Sequence, residues 1–146
     1  MHHTKDKGDF GLLKVCCDLS EKGFKILTPM SEHLPFDIVV YNENNGELYK
    51  VQIKYRRVSQ GKVTVPLRTS SLSSSGSVSK RYDIGVFDVI AVYCPEIDSC
   101  AYISEEDVRH LKNSITLRVE EPKVGITGVA TTEVRFFKDY EAFPFS

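Results

Sequence analysis

The sequence predicts an α/β fold in which helices flank a mixed central sheet. Three observations predict it: a helical pattern of apolar residues opens the chain, a polar turn then joins two short strand-like segments, and an apolar run of strand length follows. That run, residues 87–93, reads FDVIAVY, and its β-branched residues are typical of a strand covered on both faces. We therefore expect it at the centre of the sheet.

The first predicted element is a helix over residues 5–22. Apolar residues recur at helical spacing between Phe10 and Leu19. Gly23 suits the position just past a helix end, where positive φ is common. A short strand over residues 24–27 follows.

A hairpin is predicted between Leu34 and Arg57. Asp37 opens its first strand, and residues 48–56 alternate as its second strand. The turn between them is Asn44-Asn45-Gly46, whose residues adopt positive φ at low cost. The register of this hairpin decides which side chains come together.

Strand alternation places polar side chains of the second strand on one face. Successive side chains point to opposite faces, so Gln52 and Lys54 share a face while Val51 and Ile53 face a core. Asp37 starts the neighbouring strand. A carboxylate, an amide oxygen and an ammonium in this arrangement can hold a divalent cation and a phosphate together.

Four further elements follow the hairpin. Residues 62–66, 100–103 and 115–119 are predicted strands, and Ser104 begins a helix that runs to Lys112. Ser104 and the three acids after it are typical of a capping box, in which acids suit the positive end of the helix dipole. These acids are better explained by capping than by metal binding.

The bulk properties predict one domain over residues 1–146. A hydrophobic content of 41% is ample for one core, and a mean hydropathy of -0.22 is typical of a soluble protein. No apolar run approaches the roughly 20 residues of a membrane-spanning helix, and no signal peptide opens the sequence. We expect an intracellular, cytoplasmic protein without a membrane partner.

Basic residues are segregated although the net charge is only -1. Residues 50–81 contain eight Lys or Arg and no acid, whereas residues 96–107 contain five acids and no base. A local basic patch of this kind is typical of a nucleic-acid surface. The predicted DNA-binding residues are Arg56, Arg57, Lys62, Arg68, Ser70, Lys80, Arg81 and Tyr82.

Residues 67–82, with seven serines, have two interpretations. The composition suits a flexible linker. It also suits a loop or ribbon, within about residues 56–82, whose bases neutralise phosphates and whose hydroxyls donate hydrogen bonds. We favour DNA contact because the basic run adjoins Gln52 and Lys54.

Two short segments resemble the PD-(D/E)xK nuclease core. Pro35-Phe36-Asp37 corresponds to its first half and Gln52-Ile53-Lys54 to its second, with Gln52 where an acid is usual. With Lys7-Gly8-Asp9-Phe10-Gly11 ahead of them, they are similar to homing endonucleases encoded by cyanobacterial group I introns. The resemblance covers residues 4–103 and implies a restriction-endonuclease-like core.

The resemblance also implies a reaction, the hydrolysis of phosphodiester bonds in double-stranded DNA. The reaction uses a divalent cation, and the expected ion is Mg²⁺. Asp37 and the Ile53 carbonyl are the implied metal ligands, and Lys54 is the residue that positions the attacking water. Gln52 orients water or completes the ligand shell. One site per chain requires a homodimer to cut both strands, and the resemblance implies a homotetramer.

Leu12 leaves other functions open. In the related nucleases a helix Glu, commonly after a Gly, adds a metal ligand, whereas Gly11 is followed here by Leu12. Asp9 and Glu32 are the other acids near the predicted site. The alternatives are a Holliday-junction or repair nuclease of the same fold, and a catalytically impaired, sequence-specific DNA-binding protein.

The cysteines and the chain end complete the expectations. The cysteines at 16, 17, 94 and 100 contain no CxxC pair, so we expect reduced core residues and no structural zinc site. The tail, residues 120–146, is dense in aromatic and apolar residues. It packs either on its own core or on another subunit, because aromatic residues also favour interfaces.

Overall fold

The computed structural model describes residues 3–83, 85–121 and 134–146, and for residues 70–73 it describes the backbone alone. The helices are α1 (Thr4–Glu21), α2 (Glu105–Val108) and a 3-10 helix (Phe137–Tyr140). The strands are β1 (Lys25–Leu27), β2 (Ile38–Asn42), β3 (Glu47–Tyr55), β4 (Lys62–Pro66), β5 (Arg68–Ser73), β6 (Gly76–Arg81), β7 (Val89–Cys94), β8 (Ser99–Ser104) and β9 (Ser114–Arg118). In this part of the chain no helix is long and apolar enough to cross a membrane.

A mixed five-stranded sheet lies at the centre, in the order β1-β2-β3-β7-β8. Strands β3 and β7 are parallel, and the other neighbours are antiparallel. All six residues of β7 are buried, because helix α1 covers one face of the sheet and a second layer covers the other. The predicted fold class and the predicted central strand are both confirmed.

Helix α1 packs on one face of this sheet. Its buried residues Gly11, Val15 and Leu19 recur every four positions, which places them on one stripe of the helix. A Cβ on Gly11 would lie 3.4 Å from the Cβ of Tyr55 on β3. Gly11 therefore lies in contact with the strand that carries the predicted site.

The opposite face is covered by a small sheet of β4 and β9, together with α2 and the 3-10 helix. Val63 and Val65 on β4, Leu117 on β9 and Phe137 on the 3-10 helix are buried against Ile90 on β7. The alternating side chains of β7 thus enter two separate apolar clusters. Burial on both sides fixes the position of β3 beside it.

Strands β5 and β6 form a two-stranded antiparallel ribbon, with Arg68 opposite Arg81 at its base. Residues 76–80 of β6 are exposed. This part of the basic, Ser-rich stretch is therefore regular secondary structure, unlike the flexible linker that composition also allowed.

Two local predictions are wrong. Helix α2 ends at Val108 and not at Lys112. The chain turns tightly there, since the Leu111 N–H donates to the Val108 carbonyl three residues back, and the Arg81 guanidinium donates to the carbonyls of Val108 and Leu111. Cys17 is exposed rather than part of the core, since it lies on the outer side of α1.

The other cysteines fit the expected reduced core. All four are free thiols; Cys94 and Cys100 are buried and Cys16 is half-buried. Burial raises the pKa of the Cys100 thiol to about 12. Because the thiolate is the reactive form, Cys100 is poorly suited to nucleophilic chemistry.

The described end of the chain packs on its own fold. Phe145 stacks on Tyr49 with ring centroids 4.5 Å apart, and Phe143 contacts Phe24 at 4.7 Å. Aromatic pairs at these distances stabilise the fold by more than the burial of their apolar area alone provides. Phe143 and Phe145 therefore pack on the chain's own fold, while residues 122–133 lie outside the described residues.

Candidate active site

Asp37 lies immediately before β2 and is tied to β3 by two hydrogen bonds. Its backbone N–H donates to the Val51 carbonyl at 2.9 Å, and its Oδ2 accepts from the Ile53 N–H at 2.6 Å. Ile38 is opposite Val51 in the hairpin, so continuing that register sets Asp37 opposite Gln52. The hairpin register thus fixes an exposed carboxylate at the edge of the sheet.

A cavity of about 340 Å³ lies between Asp37 and helix α1. Its lining residues are Lys5, Gly8, Asp9, Leu12, Asp37 and Ile53. Leu12 therefore occupies a position from which a helix carboxylate would face Asp37. Asp9, one turn earlier, faces the same cavity, whereas Glu32 is exposed in the connector and is not part of this lining.

Lys5 and Gly8 are site residues that the sequence analysis missed. A signal for Lys5 was present, because Lys5, Asp9 and Leu12 are spaced four and three apart and so share one face of a helix. Lys5 brings a positive charge to a cavity that also contains Asp9 and Asp37. An anionic group such as a phosphate would find a cation there.

Gln52 projects an amide toward the chain ahead of Asp37. Its Nε2 donates to the Pro35 carbonyl at 3.3 Å, and because that carbonyl can only accept, the amide orientation is determined by chemistry. Its Oε1 is buried without a hydrogen-bond partner among the described protein atoms. A buried amide oxygen of this kind calls for a water or a cation.

Lys54 lies on the face of β3 opposite to Ile53, as strand alternation predicts. In the parallel pairing Lys54 is beside Val92, which faces the β4–β9 layer, and Ile53 is beside Ala91, which faces α1. The Lys54 ammonium donates to the Tyr82 hydroxyl at 2.7 Å. The structure therefore joins Asp37 to Ile53 directly, while Lys54 is held by Tyr82.

The predicted DNA-binding residues fall into two groups. The first is engaged within the fold: the Arg56 Nε donates to the Thr64 carbonyl at 2.9 Å, and the Arg57 Nε lies 3.4 Å from the Glu96 carboxylate. Arg81 makes four hydrogen bonds, to the carbonyls of Leu67, Tyr82, Val108 and Leu111.

The second group lies on or beside the ribbon. Arg68 donates to the side chain and the carbonyl of Ser79, both at 2.9 Å, which ties the two strands together. Lys80 is 72% exposed, with Asp83 at 3.7 Å. Lys62 lies on β4 opposite Arg118. The backbone of Ser70 is in β5, but its side chain lies outside the described residues.

Oxygen groups of the kind that a small, hard cation prefers occur on both sides of this hairpin edge. The Asp37 carboxylate and Ile53 line the cavity beside α1, whereas Gln52, with its unpartnered amide oxygen, is not among the residues that line it. Within residues 3–83, 85–121 and 134–146, no three His, Cys, Asp or Glu side chains cluster as a metal site. Mg²⁺ needs only one or two carboxylates when phosphate and water complete its shell.

Comparisons with known proteins concern the family and the fold. A family model described as PD-(D/E)XK endonuclease matches residues 2–143. The solved structure of the bacterial homing endonuclease I-Ssp6803I is similar, with a TM-score of 0.70 and 25% sequence identity over 83% of this chain and 81% of that chain. No curated protein matches the chain significantly.

Proposed function

Since this chain belongs to the PD-(D/E)XK endonuclease family, and is a DNA endonuclease, we propose that it cuts double-stranded DNA at a specific site in intron homing, with Mg²⁺. The observation that carries the proposal is the 2.6 Å contact between Asp37 and the Ile53 N–H. It fixes the acid of the first motif at the strand that carries Gln52 and Lys54. The likeness to a homing endonuclease supports the choice of a specific duplex.

A divalent cation would be held by Asp37, by the Ile53 carbonyl and by the Gln52 amide oxygen. The unpartnered Gln52 Oε1 supports this set, because a buried oxygen without a donor gains most from a cation or its water. Such a cation lowers the pKa of bound water and offsets negative charge on the phosphate. Gln52 is neutral and attracts the cation less than an acid would.

Lys54 would supply the positive charge that the reaction needs at the phosphate. Its ammonium orients the attacking water and donates to phosphate oxygens as they gain charge. Its hydrogen bond with Tyr82 restricts the ammonium to a few positions. A charge held in place needs little reorganisation during the reaction.

The ribbon of β5 and β6 is the proposed reader of sequence. A two-stranded ribbon fits the major groove, which is about 12 Å wide. Arg68 and Lys80, with the serines between them, would contact phosphates and base edges. The segment between β3 and the ribbon would extend this basic surface toward the site. Its basic residues are Arg56, Arg57 and Lys62.

The chain would act as an oligomer. A duplex has two backbones to cut and each chain carries one Asp37 site, so double-strand cleavage needs at least a homodimer. A homotetramer would span a longer target. Sedimentation with and without duplex DNA distinguishes these states.

One observation favours a second candidate, a DNA-binding protein with impaired cleavage. Leu12 lines the cavity beside Asp37, where an apolar side chain cannot bind a cation. We expect Leu12→Glu to increase Mg²⁺-dependent cleavage by about tenfold or more. Leu13→Glu is the matched control, because Leu13 is 64% exposed on the same helix. If the two variants change the cleavage rate equally, the absence of a carboxylate at position 12 does not explain impaired cleavage.

The substrate class is tested by cleavage of three DNAs in Mg²⁺: a library of randomised duplexes, a single random duplex and a four-way junction. The proposal predicts cutting of a few related duplexes from the library. Preference for the junction would support the repair-type nuclease instead. Binding without cleavage, by both the natural chain and Leu12→Glu, would support the binding protein.

A further inference from the structure

The Lys54 side chain is held by a residue that belongs to the base of the ribbon. Its ammonium is 2.7 Å from the Tyr82 hydroxyl and 5.2 Å from the centroid of the same ring. Tyr82 is in turn packed edge-on against Phe87, with centroids 5.6 Å apart, and Phe87 is only 2% exposed. The partner of Lys54 is therefore anchored in the core through Phe87.

Tyr82 is also the first residue after β6, and its backbone continues directly from the ribbon. Its N–H donates to the Leu67 carbonyl at 3.3 Å, just ahead of β5. The adjacent Arg81 guanidinium donates to the carbonyls of Leu67 and Tyr82. These hydrogen bonds thus join the two segments of the chain that enter and leave the ribbon at Tyr82.

The Arg81 guanidinium extends this connection to α2. Its remaining contacts are to the carbonyls of Val108 at 2.8 Å and Leu111 at 3.0 Å. Beyond this base residues 76–80 of β6 are exposed. The ribbon is therefore fixed at one end, and its β6 strand is open to a ligand.

We infer that Tyr82 is a positioning residue that couples the ribbon to Lys54, so that duplex DNA gripped by the ribbon sets the position of the Lys54 ammonium. This inference rests on the proposed function. A change in the position of the ribbon would alter the position of Tyr82 through the backbone of β6. It would alter the position of the Lys54 ammonium through the hydrogen bond to the Tyr82 hydroxyl. Sequence recognition and cleavage would then be linked within one chain.

The first test is Tyr82→Phe, which removes the hydroxyl and keeps the ring against Phe87. The expected result is a loss of about tenfold in the single-turnover cleavage rate, with duplex affinity and melting temperature unchanged. Tyr41→Phe is the matched control, since Tyr41 lies on β2 at the turn end of the hairpin. Unchanged cleavage in Tyr82→Phe, or parallel losses of cleavage and affinity, would overturn the coupling.

A double variant tests whether Tyr82 acts through Lys54. If it does, adding Tyr82→Phe to Lys54→Met lowers the cleavage rate no further than Lys54→Met alone. Additive losses would assign Tyr82 an independent role on DNA, as the sequence-based expectation has it, and would overturn the inference.

A spectroscopic readout separates this inference from the proposed function. The Cε resonance of Lys54, observed by NMR with a noncleavable duplex in Ca²⁺, should shift in the natural chain and stay fixed in Tyr82→Phe. The same shift in both proteins, or no shift in either, would overturn the coupling. If the natural chain cuts no DNA at all, the proposed function fails while this measurement still decides the coupling.

Discussion

The Asp37 carboxylate accepts a hydrogen bond from the backbone N–H of Ile53 across 2.6 Å, and so joins the start of β2 to the strand that carries Gln52 and Lys54. The proposed cation binding and the closure of the hairpin therefore depend on the same side chain. One substitution can separate them. An Asn at this position keeps an oxygen for the Ile53 N–H but loses the charge.

We predict that Asp37→Ala lowers the free energy of unfolding by about 1 kcal/mol, whereas Asp37→Asn changes it little. The exposed position of Asp37 limits the loss, because water replaces the missing acceptor. Urea denaturation of the three proteins measures the difference. Equal destabilisation by Ala and Asn would show that the carboxylate charge, and not its hydrogen bond, stabilises the hairpin.

Substitution of Lys54 should separate cleavage from binding. We expect Lys54→Ala to lower the cleavage rate by about 100-fold or more, because it removes the ammonium that the proposed function assigns to the reacting phosphate. Affinity for the duplex should change little, since Lys54 contributes one phosphate contact among many. Single-turnover cleavage and a binding titration give the two numbers. Matching losses in both would argue against a catalytic role.

The ribbon should account for much of the salt dependence of DNA binding. Arg68→Ala and Lys80→Ala are each expected to weaken binding and to reduce the slope of log affinity against log salt by about 1. Lys138→Ala, which removes an exposed lysine on the C-terminal 3-10 helix, is the control. A slope that stays the same in Arg68→Ala would remove Arg68 from the interface.

Arg81 has a structural role that its charge alone did not predict. Because its guanidinium donates four hydrogen bonds to carbonyls at the base of the ribbon, Arg81→Ala should lower the free energy of unfolding by about 2–3 kcal/mol. Arg81→Lys should recover little of this loss, since an ammonium cannot reproduce the planar fork. Thermal melting compares the two, and full recovery by Lys would contradict the anchoring role.

The hairpin that brings Asp37 beside Ile53 could be predicted from the sequence because local rules determine it. Gly46 has a φ of +75° in the turn, and that turn fixes the register that brings Asp37 to Ile53. The burial of β7 likewise follows from its continuous apolar run. These features need no knowledge of distant contacts.

The contact between Lys54 and Tyr82 could not be predicted from the sequence. The two residues are 28 positions apart, and the strands between them fold back through a separate ribbon. Charge suggested that Arg81 and Tyr82 contact DNA, but charge does not reveal that backbone carbonyls already engage Arg81. The exposure of Cys17 was missed for a similar reason, since apolar character does not say which side of a helix is covered.

The most direct test of the account compares cleavage of a selected target duplex by the natural chain and by Asp37→Asn, each with Mg²⁺ and with excess EDTA. The account predicts cutting by the natural chain in Mg²⁺, none in EDTA, and a loss of about 100-fold or more in Asp37→Asn, although that variant remains folded and binds the duplex. Equal cutting by the two proteins in Mg²⁺, or cutting that persists in EDTA, would contradict it.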